Sequence, residues 1–176
     1  MAVEDDVLHA LKPQPYPKVR RLVRNGDLLL CSADDVFSRT IRWATRSPWS
    51  HIAMAFRLGP LDRIIVMESV QHLGMRAVRM ATFIAKTSAG TTPYPNRIVL
   101  ARHSEVAGKA NTAAMKRLAR FAAGRLGDRF AAGELVRIAA RVLMGRFERE
   151  MPRFLGPRDE FICSEYVARC YHQLGI

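Results

Sequence analysis

The apolar pattern of this 176-residue chain changes period near residue 111. Before that point apolar residues come in short runs bounded by Gly, Pro and Asn, the mark of strands; after it they recur every three to four positions, the mark of helices. Strands gathered in one half and helices in the other do not make the alternating units of a parallel sheet. They predict an α+β fold, an antiparallel sheet packed against helices.

Element by element, Asn25-Gly26 signals a turn, and Asp27 to Cys31 reads as a short buried strand. Ser32 followed by Asp35 resembles a capping box. Val36, Phe37, Thr40, Ile41 and Ala44 then recur at helical spacing up to Pro48, predicting a helix over 34–46 that packs on the sheet. His51 to Phe56 and Arg63 to Val70 are strands joined through Gly59-Pro60, with so short a connection that they should pair antiparallel. Gly74 to Val78 adds a third strand, Met80 to Lys86 one helical turn or two, Ser88 to Asn96 a polar loop, and Arg97 to Ala101 a closing strand. In the second half, Met115, Leu118, Ala119, Ala122 and Leu126 form one stripe and Leu135, Ile138, Ala139, Val142 and Leu143 another. Pro152 and Pro157 bracket a turn before the last stripe of Cys163, Tyr166, Val167, Cys170 and Leu174.

With 49% hydrophobic and 25% charged residues the chain lies outside the disordered class. Its length predicts a single domain over 1–176, a Pro-containing lead at 1–24 followed by the folded body at 25–176. Lys and Arg total 28 against 16 Asp and Glu, a net charge of +12 that would attract nucleic acid, acidic lipid or an anionic substrate. Yet 23 of the 28 cations are Arg, a bias that GC-rich coding produces by itself. Specific nucleic-acid binding is therefore not expected, and weak association with acidic surfaces stays open. A helix-turn-helix reading rests on Arg content alone.

The three cysteines, Cys31, Cys163 and Cys170, contain no CxxC pair, which argues against a disulfide framework and a zinc knuckle. Cys163 and Cys170 are seven residues apart, roughly 10 Å along a helix and too far to share one zinc ion. No metal and no cofactor are expected. The phosphate-binding GxxxxGK and the serine-hydrolase GxSxG are both missing. The first 17 residues begin with acids and carry three prolines, unlike a secretory signal, and no apolar run approaches the ~20 residues that span a bilayer, so a cytoplasmic location is expected.

Cys163 is the candidate nucleophile, because it falls at the start of the last helix, where the helix dipole favours a thiolate. Alone, a Cys on the apolar stripe of a helix reads more often as a small core residue. His51 is the best placed of the five histidines to act as base, opening a strand whose same-face neighbours Ala53 and Ala55 are small enough to let a helix approach; a structural hydrogen-bonding role is the plainer alternative. Glu68 ends the apolar run Ile64-Ile65-Val66-Met67, where a charge needs a partner unless it faces solvent, and it would orient the imidazole.

Four blocks then stand out together: Gly26-Asp27-Leu28-Leu29, Arg46-Ser47-Pro48-Trp49-Ser50-His51-Ile52-Ala53, Met67-Glu68-Ser69-Val70 and Phe161-Ile162-Cys163-Ser164-Glu165-Tyr166-Val167. In these residues and in their order the chain resembles the permuted papain-like cysteine hydrolases, the YiiX-like branch of the NlpC superfamily. The resemblance implies a circularly permuted papain-like fold, with Cys163 as nucleophile, His51 as base and Glu68 as its orienting partner. It departs from the family where a Tyr-Asp pair often precedes the Cys helix; here Gly127-Asp128 is followed by Phe130.

The expected chemistry is acyl transfer through a thioester on a peptide, amide or acyl substrate, with the Cys163 N–H as one oxyanion donor. An amidase or peptidase acting on cell-wall-type peptides is the first expectation. A lipid acyltransferase or thioesterase using the same site is the second, and a non-catalytic basic binding module the third. His9, His72, His103, His172, Cys31 and Cys170 are expected to lie outside the site.

Overall fold

The structure, a computed structural model, describes residues 12–71, 73–85, 97–109, 112–130, 160–161 and 163–176. Its elements in chain order are α1 (Tyr16–Leu22), β1 (Asp27–Ser32), α2 (Val36–Thr45), β2 (His51–Leu58), β3 (Arg63–Val70), β4 (Gly74–Arg79), α3 (Met80–Ala85), β5 (Arg97–Ala101), α4 (Ser104–Ala107), α5 (Ala113–Ala123), β6 (Arg129–Phe130), β7 (Glu160–Phe161) and α6 (Cys163–His172). Five strands form one sheet in the order β4-β3-β2-β1-β5, and every neighbouring pair is antiparallel. The fold is α+β, as the change of period predicts.

Alternation along the strands divides the core in two. Met54, Phe56 and Met75 send their side chains to one face, which α5 covers with Met115, Leu118 and Ala122 and α6 with Tyr166, Val167 and Cys170. Leu29, Cys31, Ala53, Ala55, Ile64 and Val66 fill the other face, against Met80 and Phe83 of α3 and Val19 of α1. Leu29 and Leu118 are withdrawn from water almost completely, and each such side chain contributes about 2 kcal/mol. Ala53 and Ala55 thus belong to the α3 face, whereas α6 packs on the alternate, larger residues.

Two polar ties hold the ends of this stack. Asp27 is fully buried at the start of β1 and takes Arg102 in a two-pronged pair, Nε to Oδ1 at 2.6 Å and NH2 to Oδ2 at 2.7 Å, with the Arg24 N–H as a third donor at 2.7 Å. Tyr171 near the end of α6 donates its hydroxyl to the Gly26 carbonyl at 2.9 Å, fixing the helix to the turn that precedes β1.

Several local expectations are corrected. Asp35, not Ser32, caps α2, its Oδ1 accepting the Ser38 N–H at 3.0 Å, while the Ser32 hydroxyl accepts from Arg42. Most of the apolar stripe of α2 does not face the core: Val36 is 72% and Phe37 38% exposed, and of the stripe only its last member, Ala44, is buried, beside Ser38. Within the lead, Pro15 and Pro17 start α1, and Val23 behind α1 is in the core although it falls before residue 25. Leu126 lies past the end of α5 and is exposed. The parallel pair β6–β7 has no counterpart in the sequence reading. The loop expected at Ser88 to Asn96, the stripe from Leu135 to Leu143, the turn at Pro152 and Pro157, and His9 and His72 lie outside the described residues. Among the described residues no helix is long and apolar enough to cross a membrane.

Candidate active site

His51 is the first residue of β2, and the chain entering it is held by Ser50. The Ser50 N–H donates to the Cys31 carbonyl at 2.9 Å, although Cys31 is registered opposite His51. Two residues of the incoming chain thus meet one of β1, as in a β-bulge, which re-aims the side chains beside it. The buried Ser50 hydroxyl also accepts the Ala33 N–H at 3.1 Å, so the end of β1 and the start of β2 are locked together.

The registered pairs of β2 with β3 run from Leu58 with Arg63 to Met54 with Met67 and stop one residue short of Glu68. On its other side β3 keeps pairing with β4, and Glu68 stands directly opposite Arg76. At this end of the sheet the His51 Nε2–H donates to Glu68 Oε2 at 2.7 Å, while Arg76 donates to Glu68 Oε1 through Nε at 2.9 Å and NH2 at 2.6 Å. The Glu68 side chain is only 3% exposed, against 19% for His51 and 26% for Arg76.

Cys163 begins α6, and its thiol is hydrogen-bonded to the His51 ring. With Nε2 engaged by Glu68, Nδ1 is the ring nitrogen left for that bond. The backbone N–H groups of Ile52 and Ser164 also point at the sulfur. Burial by itself pushes the Cys163 thiol up, but the hydrogen bond and charge of His51, joined by those two N–H groups, more than reverse it and hold its pKa below the ordinary 9.0. Burial would likewise lower the His51 pKa; its bonds to Cys163 and Glu68, and their charges, raise it instead to about 10. Burial raises Glu68 too, and the His51 and Arg76 partners together bring its carboxyl below the ordinary range. The two shifts, opposite in sign, favour the thiolate–imidazolium form of the pair over the neutral one.

The other thiols and histidines are elsewhere. Cys170, seven residues on along α6, is enclosed in the core, where burial pushes its thiol up to about 12. Cys31 is fully buried on the opposite face of the sheet. The His103 Nδ1 accepts the Glu105 N–H at the start of α4, and His172 is exposed on the last turn of α6. Arg76 is the site residue that the sequence reading missed. Its one signal was its place two residues into the strand after the Gly74 turn, where cross-strand pairing with Glu68 follows from hairpin register.

Among the described residues no group of three or more His, Cys, Asp or Glu is placed to hold a metal ion. Both Glu68 oxygens are already taken, and His51 lies between Glu68 and Cys163.

No protein-family model and no curated protein matches the chain. Among solved structures it is similar to the metalloprotein YiiX of Escherichia coli O157:H7, at 21% identity and a TM-score of 0.60, over 87% of this chain and 67% of that one. The chain therefore has a YiiX-like fold.

Proposed function

We propose that the protein is a cysteine hydrolase of the permuted papain-like kind, an amidase or peptidase that works through a thioester. The observation that carries this reading is the contact series Cys163, His51, Glu68 at the start of α6, the order in which a nucleophile, a base and an orienting carboxylate would act. A basic binding module has no use for a buried His–Glu pair beside a lowered thiol, so the same series favours the enzyme.

In the proposed cycle the Cys163 thiolate attacks the substrate carbonyl carbon, and the negative charge passes to the carbonyl oxygen, with the Cys163 N–H at the helix start as one donor to it. The tetrahedral centre collapses as the His51 imidazolium gives its proton to the departing amine, leaving a thioester and a neutral imidazole. His51 then takes a proton from water, the hydroxide adds to the thioester, and collapse releases the acid and the Cys163 thiolate beside a restored imidazolium. Glu68 keeps Nε2 protonated throughout, so that Nδ1 is the nitrogen that exchanges the proton. Among the described residues no group of three or more His, Cys, Asp or Glu fits a metal ion, and the cycle uses Cys163, His51, Glu68 and water.

The test is a panel of aminoacyl amides, peptidoglycan peptides and acyl lipids, read by product release and by the intact mass of the protein during turnover. An acyl adduct on Cys163 with amide or peptide substrates, lost in Cys163→Ala, supports the reading. Turnover of acyl lipids alone would replace the amidase by the acyltransferase or thioesterase. Full activity in Cys163→Ala would end the thioester mechanism.

A further inference from the structure

We infer that Arg76 is a positioning residue of this site: by clamping Glu68 Oε1 it turns the other carboxylate oxygen onto His51 and balances the charge of the buried carboxylate. The inference rests on the cysteine-hydrolase reading and assigns to it a fourth side chain.

The geometry is one-sided. Both Arg76 donors, Nε at 2.9 Å and NH2 at 2.6 Å, go to Oε1, and Oε2 is left to His51 at 2.7 Å. Arg76 reaches Glu68 because the β3–β4 register sets the two residues opposite each other, so the clamp is built by backbone pairing before any side chain chooses a rotamer. Glu68 is 3% exposed and has almost no contact with water that could substitute for the guanidinium. A carboxylate so enclosed and deprived of Arg76 has two escapes, to rotate or to take up a proton; the first takes the acceptor away from His51 Nε2–H and the second removes the negative charge that favours the imidazolium. The charged groups recorded against Glu68 are His51 from β2 and Arg76 from β4, and those recorded against His51 are Glu68 and, from α6, Cys163. The effect of Arg76 on the thiol therefore runs through Glu68 and His51.

A purely Coulombic role predicts a rise as well, because a nearby cation favours loss of the first proton from the Cys163–His51 pair. The two are separated in the Glu68→Gln background, where a direct field of Arg76 still acts and the clamp does not.

The experiment follows iodoacetamide alkylation of Cys163 against pH, by peptide mass, in the wild type, Arg76→Gln, Arg76→Lys, Glu68→Gln and the double Glu68→Gln/Arg76→Gln variant. In the wild type the alkylation midpoint lies below that of a free thiol; an ordinary midpoint there would defeat the hydrolase reading itself. Given a low wild-type midpoint, Arg76→Gln raises it by about one pH unit, roughly tenfold slower labelling at fixed acidic pH, and Arg76→Lys recovers most of that shift. In the Glu68→Gln background the Arg76 substitution raises the midpoint no further, because its path is already cut. An unchanged or lowered midpoint in Arg76→Gln overturns the inference, as does a full additional rise in the double variant. Should Arg76→Gln not fold, Arg76→Lys decides: a midpoint a few tenths of a unit above wild type supports the clamp, and one at or below wild type overturns it.

Discussion

Ser50 is tied to Cys31 twice, its N–H reaching the Cys31 carbonyl at 2.9 Å and its hydroxyl the same oxygen at 3.4 Å. Together with the Ala33 N–H that its hydroxyl accepts, this makes Ser50 the pin that aims His51. Ser50→Ala leaves the Ala33 N–H without that acceptor in a buried position, and is expected to cost about 1–2 kcal/mol in urea unfolding. Because the pin adjoins His51, alkylation of Cys163 at acidic pH should also slow in this variant. Wild-type stability in Ser50→Ala would show that the pin is dispensable.

Gly74 is required by its surroundings. Its φ is +72°, and an added Cβ would lie 2.2 Å from the Asp128 carbonyl oxygen, the same oxygen that accepts the Met75 N–H at 2.7 Å. Backbone cannot move aside as a side chain can, so Gly74→Ala should destabilise the fold by about 2 kcal/mol or more. Gly59→Ala, which meets nothing within 4 Å, is the control and should be nearly silent. Equal thermal shifts in the two variants would contradict this.

The strands were legible from local patterns, apolar runs and turn signals; the meeting of Cys163, His51 and Glu68 was legible from a helix start, a strand start and a charge in an apolar run, together with the resemblance of the four blocks. Arg76 was not legible, since in the sequence it is one of 23 arginines and only the β3–β4 register sets it opposite Glu68. The outward stripe of α2 was illegible for a different reason. Helical spacing shows that Val36, Phe37 and Thr40 share a side but not which side meets the sheet, and here Ser38 and Ala44 allow the closer approach. The fold class followed from periodicity, while the bulge at Ser50, which aims His51, depends on which carbonyl each N–H chooses and leaves no mark in composition.

The ion pair also sets a pH dependence whose sign can be worked out. Unfolded, His51 titrates near 6.5 and Cys163 near 9.0; folded, the His51 pKa is raised to about 10 and that of Cys163 is lowered. The His51 contribution is complete below 6.5 and is lost as pH rises toward 10, whereas the Cys163 contribution is complete above 9.0 and is lost as pH falls. Above 6.5 and above the lowered Cys163 pKa, up to 9.0, the folded pair holds one proton on His51 and the unfolded pair one on Cys163, so the two slopes cancel. The stability difference between wild type and the double His51→Gln/Cys163→Ala variant should therefore level off below about 9 and fall beyond. A steady slope across pH 7–8.5 in urea midpoints would mean that the resting pair is not thiolate and imidazolium.

The central claim is that Cys163 is an activated nucleophile and its two fellow thiols are not. The direct measurement is competitive labelling of the native protein with a limiting amount of iodoacetamide at about pH 6, where a free thiol of pKa about 8.5 is almost wholly protonated, followed by peptide mass analysis of all three cysteines. Cys163 should carry nearly all of the label, with Cys31 and Cys170, both fully buried, modified only after unfolding, and in folded His51→Gln the rate of Cys163 labelling should fall to that of an ordinary thiol. Equal labelling of the three thiols, or an undiminished rate of Cys163 labelling in His51→Gln, would contradict the account.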